Sequence, residues 1–332
     1  MNIYSTVDFI NLDKIIILFN SVITNSSKKS DLKFYILTDK ISGDLPYIPN
    51  DLSNNLIIKE TFFDNNWKIL LEDFNDKFYK GSNWCKHDMN FARFLFFKHF
   101  PEVDRVIYLD WDMVVISDIF ELENEFNKKD KMIVATTGLD TVRTNIFTDD
   151  FRSRISPQNA IMKIKTNIDI PKYKLISDSL DINLKDVLNV KGFNAGFYIV
   201  SNNHFQEKYL INLIRKLIKI QTKFNCFNFG TQVVMNLMHL RNRIFVDKKW
   251  NNLPNNKNMN EINIVHYNGL DKPWNIKKEI NNLWYSYCKL VYPDWEYSVV
   301  IDPKKKNKDK SVIKNNKIKN KKINNSNFLK LL

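Results

Sequence analysis

The sequence predicts an α/β protein whose parallel β-sheet is covered by helices. Three observations carry that reading: a strand–helix–strand opening, a later apolar strand that ends in paired acids, and a composition able to fill a core. Buried parallel strands read as continuous apolar runs, and a crossover segment has to join parallel neighbours. Of the 332 residues, 44% are hydrophobic and 13% aromatic, which excludes a disordered body. About 300 residues suffice for one large domain of this class.

The elements follow in order. Asn2–Val7 reads as a strand, Leu12–Thr24 as a helix and Lys33–Thr38 as the second strand. Leu56–Lys59 is a third strand. Asn83–Phe100 carries helical apolar spacing through Phe91, Leu95 and His99, and Pro101 ends it. Arg105–Leu109 is the apolar strand of the central, buried kind. Met132–Thr136 and Ala195–Val200 read as strands, and Phe205–Ile220 and Thr231–Leu240 as helices. Residues 140–190 are polar and weakly periodic, so they are expected to be an insertion or flap. The domain is expected to occupy residues 1–302, followed by a Lys/Asn-rich tail over 303–332 that is expected to be disordered.

Charge divides the chain the same way. The net charge is +13, but Pro303–Leu332 holds eleven lysines against Asp309 alone, a net of +10, leaving +3 for residues 1–302. A basic nucleic-acid-binding surface on the body is therefore not expected. No apolar run nears the roughly 20 residues that span a bilayer. Asp13 and Lys14 precede the early apolar run Ile15–Phe19 and no small-residue cleavage site follows it, so no signal peptide is read. Cys85, Cys226 and Cys288 lack metal-type spacing and fit free thiols in a reducing compartment. A cytoplasmic location, free or peripheral to a membrane, is the expectation. Glycine-rich phosphate loops, HExxH, G-x-S-x-G and CxxC are all absent, which argues against hydride transfer, P-loop kinase and zincin chemistry.

The chemistry-bearing segments are few. In Tyr108-Leu-Asp-Trp-Asp112, alternation on an extended chain would send Asp110 and Asp112 to one side and Trp111 to the other. Two like charges at a strand's carboxyl end cost free energy unless compensated, and a hard divalent cation compensates them. A solvated acidic loop is the other reading. His266, at the end of an apolar strand from Ile264, is either a third metal ligand or a satisfied core histidine. After it come Gly269, Lys272, Pro273 and Trp274, which suit a phosphate-binding loop. Gly192-Phe-Asn-Ala-Gly196 holds two of the seven glycines, as close packing around a small polar ligand or a tight turn would require.

Taken in order, Asp8, Phe91-Ala-Arg-Phe94, Tyr108–Asp112, Phe193-Asn-Ala-Gly196, Gln232 with Asn236, and His266–Trp274 resemble glycosyltransferase family 8, the retaining nucleotide-sugar transferases. The resemblance covers residues 1 to about 275. It implies a GT-A fold: a Rossmann-like mixed sheet flanked by helices, with the D-x-D at the C-terminal edge of a central strand. It also implies a UDP-sugar donor and Mn2+, with Mg2+ as a substitute. Asp110, Asp112 and His266 would hold the metal. Thr6, Asp8, Arg93, Asp110, Ala195, Gly269 and Lys272 would bind the donor. Asn194 and Gln232 would act at the sugar, and Asp140 is the candidate for an acid that often follows the strand at 132–136. The family usually has Asp-Gln where this chain has Thr231-Gln232, so the identity of the sugar is left open.

The expected reaction moves a hexose to a hydroxyl of a glycan, lipid-linked or protein acceptor. Self-glycosylation of the glycogenin type and an inactive nucleotide-sugar- or glycan-binding module are the alternatives. The tail could bring the enzyme to an anionic membrane surface, where each basic residue contributes roughly 1 kcal/mol.

Overall fold

A computed structural model of the chain has a main sheet of seven strands among the described residues. It describes residues 1–78, 88–135, 170–181, 183, 193–224, 230–238, 242–254, 261–268, 272–275 and 281–296. Asp140, Gly192, Gly269, most of 140–190 and the tail lie outside the described residues.

The opening unit is as expected. β1 (Asn2–Val7) leads through α1 (Leu12–Asn25) to β2 (Lys33–Thr38), parallel to β1, and β3 (Leu56–Glu60) adds in parallel beyond it. β4 (Arg105–Leu109) joins the other side of β1, also in parallel. The sheet is not parallel throughout. β7 (Phe197–Ser201) runs antiparallel between β4 and β6 (Met132–Ala135), and β8 (Arg243–Val246) completes the sheet parallel to β6. The mixed sheet is the one the family resemblance implied. Strand direction has no signature in the apolar pattern of a fully buried strand.

Side-chain alternation gives each face its own layer. Ile3, Ile107, Ile199 and Ile133 are register neighbours across four strands on one face, and Tyr4, Tyr108, Tyr198 and Val134 on the other. The isoleucine face packs α1, Trp250 and α6 (Asn282–Val291). The tyrosine face packs α2 (Asn65–Phe78), residues 89–100, α4 (Glu207–Phe224) and α5 (Gly230–Met238). Each fully buried large apolar side chain contributes about 1.5–3 kcal/mol.

Two elements differ from their sequence pattern. Residues 89–99 form two short helical turns around a tighter 3-10 turn at Arg93–Leu95 rather than one continuous helix. There the Arg93 carbonyl accepts from the Tyr4 hydroxyl at 3.0 Å, in competition with the helical ladder. Within the expected flap, Ile170–Leu180 is a helix (α3), with Pro171 in its first turn, buried Ser177 and Leu180, and packing against α4.

A two-stranded antiparallel ribbon stands beside the main sheet. β5 (Met113–Val115) pairs with β9 (Ile264–His266), with Met113 opposite His266. It follows directly on the D-x-D turn.

Candidate active site

The site forms where β4 ends and β7 begins. These strands are antiparallel, so Leu109 pairs with Phe197, and the Asp110 N–H donates to the Gly196 carbonyl at 2.9 Å. The chain then turns through Trp111 and Asp112, and the Tyr267 N–H donates to the Asp112 carbonyl at 2.9 Å. Asp110 and Asp112 thus converge through a turn rather than through alternation on a longer strand. Trp111 stacks on Trp274 with ring centroids 4.7 Å apart.

One ligand atom from each of Asp110, Asp112 and His266 lies within 4.8 Å of the other two. His266 Nε2 is 3.2 Å from Asp112 Oδ1 and 3.9 Å from Asp110 Oδ2. Asp112 Oδ1 is buried without a hydrogen-bond partner among the described residues, a costly arrangement for a carboxylate. Two carboxylates and an imidazole turned toward one point fit a divalent cation, which would satisfy that oxygen. Burial alone would raise the Asp112 pKa, but the adjacent cations, chiefly the Lys272 ammonium, outweigh it and hold the carboxyl well below the usual range. Lys272 Nζ contacts Asp112 Oδ2 and donates to the Tyr267 carbonyl at 3.3 Å.

Asp110 is held from beneath. Tyr108 donates its hydroxyl to Asp110 Oδ1 at 2.7 Å, and Arg93 Nη2 reaches the same oxygen at 3.3 Å. Burial raises the Tyr108 pKa well above its ordinary value, so the hydroxyl stays a donor at neutral pH. The Arg93 guanidinium lies 4.6 Å over the Tyr108 ring and also donates to the Ala195 carbonyl at 2.9 Å. Burial works against its charge, but its pKa is nonetheless raised, with the Asp110 carboxylate as the neighbouring anion.

Glycine is required at 196. A Cβ there would lie 2.5 Å from His266 Cε1, 2.8 Å from Asn194 Oδ1 and 2.9 Å from Asp110 Oδ2. Beside it, Asn194 Nδ2 donates to Gln232 Oε1 at 3.3 Å. Asn236 on α5 holds this loop by accepting from the Phe193 N–H and donating to the Phe193 carbonyl, both at 2.9 Å. Thr6 Oγ1 is 3.5 Å from the Tyr108 hydroxyl, and Asp8 is half-buried at the end of β1. Thr231 sits half-buried in the first turn of α5.

Ten of the twelve sequence-predicted site residues therefore lie at or around this sheet edge; Asp140 and Gly269 are outside the described residues. Sequence reasoning missed Asn251, whose Oδ1 is 2.8 Å from His266 Nδ1. A lone asparagine in an asparagine-rich chain gives no signal of its own.

Comparison with known proteins identifies the fold and the family. Galactosyltransferase LgtC, solved with donor and acceptor sugar analogues, is similar in structure with a TM-score of 0.54 at 13% identity, over 88% of this chain and 96% of its own. The bifunctional glycosyltransferase WbbM gives 0.51 at 17% identity, over 87% of this chain and 49% of its own. The shared fold is GT-A. "Probable galacturonosyltransferase-like 4" of Arabidopsis thaliana is 24% identical over 269 residues, covering 76% of this chain and 67% of its own length. The family model described as "Glycosyl transferase family 8" matches residues 2–278, a span that holds the D-x-D turn, the Asn194 loop, Gln232 and the His266 strand. The chain belongs to glycosyl transferase family 8 and is a glycosyltransferase.

Proposed function

We propose that the protein transfers a hexose from a UDP-sugar to a hydroxyl of a glycan or glycoconjugate, with retention of anomeric configuration and with Mn2+ at Asp110, Asp112 and His266. The observation that carries the reading is the buried Asp112 Oδ1, without a hydrogen-bond partner among the described residues, facing His266 and Asp110 while Lys272 contacts the other oxygen of the same carboxylate. When bound, the cation supplies Lewis-acid stabilisation of the diphosphate leaving group.

The chain's own residues divide the remaining work. Lys272 brings positive charge to the oxygen that becomes anionic as the anomeric bond breaks. Tyr108 and Arg93 occupy Asp110 Oδ1 and so turn its other oxygen toward the metal position. Asn194 and Gln232 lie beside that position and are assigned to the sugar. An amide is a weak nucleophile, so Gln232 is given an electrostatic role beneath the anomeric carbon, with the acceptor attacking from the leaving-group side. Trapping a glycosyl adduct on any residue would overturn that last assignment.

The decisive measurement is Mn2+-dependent hydrolysis across a panel of UDP-sugars, with Asp112→Asn as control. The expected result is turnover of one or two donors, reduced at least about 100-fold in the variant. Equal rates in both proteins would remove the metal assignment. UDP binding without turnover of any donor would favour the binding-module reading, to which Thr231 gives a motive.

A further inference from the structure

We infer that Asn251 is a positioning residue that fixes which nitrogen of His266 faces the two carboxylates, and that one backbone N–H sets this choice. The inference rests on the metal reading above for its purpose but not for its geometry.

The argument starts at Gly196. Its N–H lies 2.9 Å from Asn194 Oδ1, and a backbone N–H can only donate. The Asn194 amide is therefore oriented, oxygen toward Gly196 and nitrogen toward Gln232 Oε1. Asn251 comes next, with one side-chain end 3.3 Å from Asn194 Oδ1 and 3.5 Å from the Asn194 carbonyl. Both neighbours are acceptors, so that end has to be the NH2 group; the flipped amide would set oxygen against two oxygens. The opposite end, Oδ1, then faces His266 Nδ1 at 2.8 Å and accepts from it. With the proton on Nδ1, the neutral ring turns the Nε2 lone pair toward Asp110 and Asp112. Amide and imidazole orientations are normally assigned from such networks, and here the network is anchored at an atom whose role is not adjustable.

Burial makes the choice firm. Asn251 is 0% exposed and His266 1% exposed. The backbone holds Asn251 in place: the neighbouring Asn252 bridges to Val265 in parallel, and the His266 N–H donates to the Asn252 carbonyl at 2.7 Å. A ligating histidine needs a partner for its other ring nitrogen, and Asn251 supplies it. The same chain of amides joins the metal-facing histidine to Gln232 through Asn194, so the two halves of the site share one hydrogen-bond polarity.

The test reads the tautomer directly in metal-free protein. With 15N-labelled histidine and His266→Gln to assign its signals among the five histidines, two-bond 15N–1H couplings in mildly alkaline buffer should show a protonated Nδ1 and a bare Nε2. Asn251→Asp keeps the acceptor for Nδ1 and should keep that pattern, while its second oxygen, set against the two Asn194 acceptors, lowers the protein's stability. Asn251→Leu should shift the tautomer and weaken Mn2+ binding about 10- to 100-fold, read from the EPR signal of free Mn2+. A wild-type His266 protonated on Nε2, or a folded Asn251→Leu protein with an unchanged tautomer, would overturn the inference. If the tautomers behave as stated but Mn2+ binds wild type and Asp112→Asn alike, the metal reading fails and with it the purpose assigned to the chain, while the polarity stands.

Discussion

Gly196 and Asp112 are the residues at which one atom decides the outcome. A methyl group at 196 would come within 3 Å of atoms in His266, Asn194 and Asp110, so Gly196→Ala has to displace part of the ligand set. The expected result is a loss of about 1–3 kcal/mol in stability and a larger proportional loss of Mn2+ affinity, checked by urea denaturation and metal titration of the same preparation. Asp112 carries a pH signature. Its folded-state pKa lies below the ordinary aspartate value, held down chiefly by the Lys272 ammonium against the effect of burial. The ionised carboxylate therefore contributes stability that is present above about pH 4 and is lost as the pH falls toward the folded-state value. In metal-free protein, Asp112→Asn should remove that contribution, giving a melting temperature that falls less steeply than wild type below about pH 4. Parallel acid branches for the two proteins would count against the depressed pKa.

At the scale of elements, α5 matters for what it holds. Asn236 joins this helix to the Phe193 backbone and also donates to the Gln232 carbonyl one turn earlier in the same helix, at 2.8 Å. Asn236→Leu leaves Phe193 N–H and C=O without those partners, at about 1–3 kcal/mol for each unsatisfied group. We expect catalytic turnover to fall further than stability, because the loop it frees carries Asn194. Elements differ in how legible they were. β1, β2 and β4 are long, apolar and buried, and their limits could be read from the chain. β5 has three residues and β8 is half-buried throughout, so neither makes a pattern. Asp110, Asp112, His266 and Lys272 stood out because ionisable residues beside apolar strands need a reason. Tyr108's hydroxyl did not, since it reaches Asp110 only through the turn that follows β4, and Asn251 did not, since its role exists only across segments brought together by folding.

For the whole molecule, charge and chemistry separate along the chain. Every described site residue lies between Thr6 and Lys272, whereas a net +10 lies beyond residue 302. Deleting 303–332 should leave hydrolysis of the donor within about twofold while lowering retention on a cation-exchange column. A large loss of turnover would mean the tail contributes to the site. The position of β7 has a different consequence. It is bonded on one side to β4 and on the other to β6, and both precede it in the chain. An engineered protease site between residues 140 and 165 would therefore yield two pieces clasped like interlaced fingers, the later piece's strand held between two strands of the earlier one. Cut protein should elute from a sizing column as a single species with the ligand cluster shared across the break, and should come apart only in denaturant. The enzyme could then be supplied as two complementing halves, one carrying the aspartates and the other the histidine, each inert until they meet.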